Sequence, residues 1–436
     1  MPGTGAAHAE AIFENTPAAA ALRSLDAARR AIGSASRPLA GESIALTGAV
    51  GRFLARTYVA QADLVPYARA AMDGYALRAA DTLAAEVSPL LMPLSGAAYA
   101  GDPRASLEPG YAFTIATGGA LPAGADAVVP WEVVDVRGDA IVLRVPLKSG
   151  AHVFRPGDDA RSGDIIARPG EAITPGRAAL LAAIGVSHVD VYRRPRVTII
   201  STGNEVVDPT AEPAVGQIRD SNAAMLAAHI RRDGGTVTAV VRVRDTETAV
   251  AAALHDALRA SDLVITTGGA SAGERDYVKR AAASIGAAFA FSSIALRPAK
   301  PTGFARRGGA LLAILPGNPA AAFVAYTALF GPLVRALAGD PHPALPSVQT
   351  RLQGSLHSKP GRHFYAFARV HHGRDGFVAS VLANQCSSLV RTSADANAFV
   401  VVPPGNGRYD DGALIEAEIF DWASVDFRAT DHARPQ

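Results

Sequence analysis

Apolar residues recur at helical spacing between Pro17 and Ile32, at Ala21, Leu22, Leu25, Ala28 and Ile32, which predicts a first helix. The rhythm turns irregular around Met72 and becomes strand-like from Tyr99 to Val145. There Val133 to Val136 and Ile141 to Val145 flank a turn at Arg137-Gly138-Asp139, the mark of a hairpin. The pattern describes a β-rich module inserted after the first helix. Val153 to Asp159 then leads through Gly163 to a second helix, Thr174 to Ile184.

A different rhythm begins at Arg196. Val197 to Ile200 is a short β-branched run ending in Ser201-Thr202-Gly203, and Asp220-Ser221-Asn222 can cap a helix that runs to Arg232 before Gly234-Gly235. Thr236 to Val243 reads as a strand, Glu247 to Arg259 as a helix, Leu263 to Thr267 as a strand, Asp276 to Ile285 as a helix and Leu311 to Leu315 as a strand. A further helix runs to Leu337, with Asn318 as its cap and Pro319 at its first position. Strands alternating with helices predict a doubly wound parallel sheet covered on both faces, with ligands at the carboxyl ends of its strands. After Gly339 the pattern is all β: His363 to Val370 and Phe377 to Leu382 form a hairpin around Gly373-Arg374-Asp375-Gly376, and Ala413 to Ile419 is another strand.

Composition narrows the function classes. The 436 residues are enough for two to four domains. Lys plus Arg (42) against Asp plus Glu (40) leaves a net charge of +2, without the concentrated positive charge of a nucleic-acid-coating protein. A hydrophobic share of 49% excludes wholesale disorder. The single cysteine, Cys386, cannot form an internal disulfide or a cysteine zinc site. The richest apolar stretch in this reading, Ala178 to Val186, is too short to span a bilayer, and Glu10 and Glu14 precede any Lys or Arg, unlike a signal peptide. The expectation is a cytoplasmic protein with no membrane and no nucleic-acid partner.

Three glycine-bearing turns lie where the α/β strands end: Ser201 to Glu205, Thr267 to Asp276 and Pro316 to Pro319. Without a Cβ, backbone N–H groups can approach an anion, and each turn leads toward a helix whose N-terminus favours negative charge. Neither a Walker loop nor a Gly-x-Gly-x-x-Gly dinucleotide pattern is present. Glu205, Asp245 and Asp276 accompany these turns and could hold Mg²⁺ against a phosphate, although Asp245 and Asp276 could equally cap helices. Arg297-Pro298-Ala299-Lys300-Pro301 sets two cations in a proline-stiffened loop.

Read in order, Ala71-Met72-Asp73-Gly74-Tyr75-Ala76, Thr117-Gly118-Gly119-Ala120-Leu121-Pro122, the Ser201 to Glu205 turn, Asp220-Ser221-Asn222, the Gly268 to Tyr277 loop, Arg297 to Pro301 and Pro316 to Pro319 resemble the molybdopterin molybdenumtransferase family, of the MoeA and gephyrin E-domain type. The resemblance implies an elongated α/β multidomain subunit. Its expected parts are a discontinuous linking domain (15–45 and 150–192), the inserted β-rich module (46–149), a molybdopterin-binding α/β domain (193–340) and a small C-terminal β-barrel-like domain (341–425). It also implies a homodimer whose active cleft is shared between subunits. The implied reaction inserts molybdate into adenylylated molybdopterin with release of AMP in the presence of Mg²⁺, for delivery to a molybdoenzyme apoprotein.

By that resemblance Asp73, Thr117, Glu205, Asp245, Asp276 and Lys300 are the catalytic candidates, with Glu205, Asp245 and Asp276 as metal ligands. Gly268, Gly269, Ser271, Gly273, Arg297, Pro316, Gly317, Asn318 and Pro319 would bind pterin phosphate and nucleotide, and Arg362, Ser387 and Thr392 fall near oxyanion positions. The family loop usually reads Lys-Pro-Gly-Lys-Pro; here Arg297 and Ala299 replace its first lysine and its glycine. Ser293 stands where a lysine is common, and Ala321 where a serine is. These departures open an alternative, a non-catalytic cofactor carrier or scaffold. A second alternative is a nucleotide hydrolase built on the same α/β domain.

Overall fold

In the computed structural model Phe13 and residues 22–269, 277–405 and 407–427 are described. The first helix is Leu25–Ala35, capped by the Ser24 side chain, which accepts from the Ala27 N–H. Leu25, Ala28 and Ile32 of the expected apolar spacing lie on it, while Pro17 to Ala21 lie outside the described residues. Arg29 on this helix donates to Tyr365 Oη (2.7 Å) and Glu418 Oε1 (2.8 Å), tying it to the C-terminal barrel. Burial pushes the Tyr365 hydroxyl well up, and the Glu418 carboxylate adds to the rise.

Gly41–Ala45 pairs antiparallel with His188–Tyr192, and Tyr58–Val59 with Ile165–Ala167. Leu46, Leu54 and Tyr58, inside the expected 46–149 span, share one small core with Ile173, Leu181 and Val189, so the linking unit takes in the start of that span as well as chain after the module. Within the module lies a six-stranded sheet in the order Ala127–Pro130, Gly74–Leu77, Ala112–Ile115, Leu90–Ala98, Ala140–Leu143, Asp135–Arg137. Its last two strands are the hairpin around Gly138. The second helix is Pro175–Ala183, with Thr174 at its N-cap.

The α/β sheet has the order Thr236–Val243, Arg196–Thr202, Leu263–Thr267, Ala310–Leu315, Gly303–Arg307, Ala288–Phe291. Its first four strands are parallel. Gly303–Arg307 alone is reversed, pairing antiparallel with Ala310–Leu315 on one side and Ala288–Phe291 on the other, so the parallel pairing expected of the sheet stops at this edge. The period-2 pattern explains the layers. Val197, Ile199, Leu263, Ile265 and Ala313 face one core with helix Ser221–Arg232 and the Pro319–Leu337 helix. Ile200, Val264, Leu312 and Ile314 face the other with helices Glu247–Ala260 and Tyr277–Ser284. Each buried Leu, Ile or Val contributes about 1.5–3 kcal/mol.

The Pro319–Leu337 helix corrects the search for apolar stretches: by length and composition it could cross a membrane, and it is the only such helix among the described residues. It is a core helix, 89% buried, and contains a π turn at Tyr326–Phe330. His229 packs against Phe323 and Tyr326 on it. Burial, aided by the charges of Arg232 and Arg335, holds the His229 imidazole down at about 3.

In the C-terminal region His363–Gly373, Gly376–Val381, Ser347–Gln353, Leu414–Ile419 and Ala398–Val402 form a sheet that closes on itself, the last strand pairing back with the first. Leu296–Arg297, from the α/β part of the sequence, adds to the outside of this barrel by pairing parallel with His363 and Phe364.

Candidate functional site

The first connection of the α/β sheet runs from Arg196–Thr202 outward to Thr236–Val243, and the next returns to Leu263–Thr267 on the opposite side. Strand order therefore reverses between Arg196–Thr202 and Leu263–Thr267, and a crevice opens at their carboxyl ends. A cavity of about 700 Å³ occupies that point. Glu205, Asp245, Gly268, Gly269, Pro316, Gly317, Asn318 and Pro319 all line it, so the three glycine-bearing turns converge as far as they are described. Ser271, Gly273 and Asp276 lie outside the described residues.

Backbone contact explains the glycines. Gly268 has φ 92°, and a Cβ there would lie 2.2 Å from the Thr202 carbonyl oxygen. A Cβ on Gly317 would lie 3.2 Å from Gly268 Cα. The turns thus stack directly on one another, which no larger residue permits. Side chains stitch the stack from below: Asn222 Nδ2 donates to Thr267 Oγ1 (2.9 Å) and to the Gly317 carbonyl (2.7 Å), and Thr267 Oγ1 donates to the Pro316 carbonyl (3.0 Å). Thr202 Oγ1 and Asn222 Oδ1 are buried beneath the cavity lining with no hydrogen-bond partner among the described residues.

Asn222 stood in the sequence only as part of a cap cluster. Asp220 makes the cap, accepting from the Ala223 N–H at 2.9 Å, while its other oxygen faces Arg242 Nε at 3.2 Å. That leaves Ser221 and Asn222 to open the helix at the cavity edge, where its positive end favours an anion. The signal for Asn222 was its place two residues after a competent cap, Asp220.

The capping alternative for Asp245 is removed, because Thr246 Oγ1 caps Glu247–Ala260 by accepting from the Ala249 N–H. Asn204 Oδ1 instead accepts from the Asp245 N–H at 3.3 Å, joining the first turn to the next strand's end. Glu205 and Asp245 both line the cavity with hard oxygen donors, a donor set that fits Mg²⁺. Among the described residues no group of three His, Cys, Asp or Glu side chains is close enough to hold a metal by itself.

Asn318 sits at the N-cap position, yet its side chain does not cap the helix. It reaches the C-terminal region, with Nδ2 to Ser387 Oγ and Oδ1 to Ser388 Oγ, both at 3.4 Å. Asp73 and Thr117 lie away from this cavity and belong to each other. Asp73 Oδ1 accepts from the Thr117 N–H (2.7 Å) and hydroxyl (3.0 Å). Thr392 is buried, donating to the Asn384 carbonyl, and Arg362 is half-buried; neither lines the cavity.

The basic loop differs from its expected role. Pro301 lines the cavity, but Arg297 does not. Its guanidinium lies 4.6 Å from the centre of the Phe364 ring, a position set by the pairing of Leu296–Arg297 with the barrel. Lys300 is exposed. Ala299 holds φ 98° while 4% exposed, a conformation that costs a residue with a Cβ about 1–2 kcal/mol. Ala321 lies in the apolar core and Ser293 is half-buried, so neither departure alters the cavity lining.

Three family models match in succession: the MoeA N-terminal region (domain I and II) over residues 23–185, a probable molybdopterin binding domain over 198–336, and the MoeA C-terminal region (domain IV) over 349–420. Molybdopterin molybdenumtransferase 2 of Mycobacterium tuberculosis is 34% identical over 391 residues, 88% of this chain and 96% of that protein. The Bacillus subtilis molybdopterin molybdenumtransferase is 32% identical over 383 residues, 86% of this chain and 89% of that protein. The crystal structure of the molybdopterin biosynthesis MoeA protein from Pyrococcus horikoshii superposes with a TM-score of 0.79 at 30% identity, covering 92% of this chain and 99% of that one. The chain belongs to the molybdopterin molybdenumtransferase family, transferases of molybdenum cofactor biosynthesis.

Proposed function

We propose that the cavity at the strand-order reversal binds adenylylated molybdopterin and that the protein inserts molybdate into it, releasing AMP with Mg²⁺ present. The observation that carries this proposal is the convergence of three stacked turns and two helix N-termini with the carboxylates of Glu205 and Asp245. The Gly268 and Gly269 turn and the Ser221 and Pro319 helix starts supply the positive ends of backbone dipoles, suited to phosphate oxygens. Glu205 and Asp245 would hold Mg²⁺, which supplies charge neutralisation at the phosphate leaving group. Lys300 supplies the positive charge that steers molybdate to the cavity edge beside Pro301.

In this proposal Asp73 and Thr117 act across a homodimer, the partner subunit presenting its module to the cavity, and the protein works in the cytoplasm and passes its product to a molybdoenzyme apoprotein. The division into four domains, expected at 15–45 with 150–192, 46–149, 193–340 and 341–425, belongs to the same proposal, with the start of the 46–149 span packed into the linking unit. The unaltered lining at Ala321 and Ser293 favours the enzyme over the carrier. Purified protein given adenylylated molybdopterin, molybdate and Mg²⁺ is expected to release AMP, and to stop on chelation with EDTA. AMP no higher than in a protein-free control overturns the proposal. Tight molybdopterin binding without AMP release supports the carrier, and hydrolysis of free pyridine nucleotides the hydrolase.

A further inference from the structure

The basic loop hangs between two neighbours. Ala295 N–H donates to the Arg23 carbonyl (2.7 Å), and the Ala295 carbonyl accepts from the His363 N–H (3.0 Å) on the first barrel strand. Ile294 N–H donates to the Lys300 carbonyl (2.9 Å), and Thr302 Oγ1 donates to the Ala299 carbonyl (2.7 Å), which closes the loop on itself. Buried Phe364 carries the Arg297 guanidinium on its face. Among the described residues the Lys300 ammonium has no ion pair, and only three residues of chain separate Arg297 from Pro301 in the cavity wall.

We propose that Arg297 is a positioning residue for molybdate insertion: stacked on Phe364, it fixes the 293–301 loop against the barrel and leaves Lys300 as the loop's cation for the oxyanion. The assignment to molybdate rests on the function proposed above; the anchoring of the loop does not. A planar guanidinium covers an aromatic face in a way that an ammonium on a flexible stem does not. A lysine at position 297 would therefore preserve the charge and lose the anchor. This is the point at which the two roles separate, since a direct anion ligand tolerates lysine and an anchor does not.

Two measurements on the full-length protein test it. Hydrogen exchange at the Ile294 and His363 amides is expected to quicken about tenfold in Arg297→Ala, Arg297→Lys and Phe364→Leu alike, and to stay at the wild-type rate in Lys300→Ala. In the AMP-release assay Arg297→Ala and Arg297→Lys are expected to raise the KM for molybdate about threefold to tenfold, more than they lower kcat. Because the contact is shared, Arg297→Ala with Phe364→Leu should be no worse than the poorer single variant. Wild-type exchange and molybdate KM in Arg297→Lys, with a raised KM in Arg297→Ala, would overturn the proposal and make Arg297 a direct ligand. Should Phe364→Leu not fold, the two Arg297 variants decide alone. If wild-type protein releases no AMP, the function fails, while the exchange result still decides whether Arg297 anchors the loop.

Discussion

Gly268 and Ala299 hold nearly the same backbone conformation, φ 92° and 98°, on two loops that reach the same cavity. At Gly268 the neighbouring turn lies so close that its carbonyl occupies the place of a Cβ. At Ala299 a Cβ is present, buried and strained, and the loop is held by a stacked side chain and by hydrogen bonds to the barrel. One loop is fixed by backbone contact, which permits no substitution; the other is fixed by side chains, which tolerate a residue poorly suited to the turn.

The largest effect is expected at the backbone-locked turn. Gly268→Ala must displace the Thr202 carbonyl, and should lower stability by about 3 kcal/mol and turnover at least a hundredfold, read by denaturant unfolding and AMP release. Wild-type stability in that variant would break the contrast with Ala299. Next, Asn222→Ala leaves Thr267 Oγ1 and the Gly317 carbonyl without their donor, with an expected loss of about 2 kcal/mol. If it moves turnover without moving stability, Asn222 acts on the ligand and does not stitch the turns.

Acid should undermine the backbone-locked side through His229, on the helix that starts at the cavity. Its imidazole is held at about 3 in the folded protein, so the unfolded chain binds the extra proton below its ordinary value near 6.5. Stability is therefore full above about pH 6.5 and falls by about 1.4 kcal/mol per pH unit as the pH drops toward 3. His229→Gln is expected to flatten that fall in thermal melts between pH 7 and 5; an unchanged slope would assign the acid sensitivity elsewhere. The smallest effect is the reverse substitution on the side-chain-locked loop. Ala299→Gly should relieve strain and stabilise by about 1 kcal/mol, a rise in melting temperature of about two degrees. A fall would show that Ala299 is not strained.

Much of the α/β unit was legible because each strand is a short β-branched run closed by a turn: Thr236–Val243 and Leu263–Thr267 begin and end where the pattern places them. The antiparallel pair Ala288–Phe291 and Gly303–Arg307 was not legible, because the residues between them leave the sheet to join the barrel. The C-terminal barrel was expected only through the family resemblance, since its closing pair, Ala398–Val402 with His363–Gly373, spans distant sequence that no local pattern joins. Glu205 and Asp245 could be picked out as carboxylates beside turns. Thr246 had to be seen at work before capping could be set aside for Asp245.

The sequence by itself determined the local elements, the glycine-bearing turns and the family, because periodicity, turn chemistry and ordered motifs are properties of neighbouring residues. Only the tertiary structure decided where those turns meet, that Asn222 stitches them and that Arg297 faces Phe364 rather than the cavity. Such outcomes depend on which distant backbone occupies the space beside a residue, and a Cβ either fits there or does not.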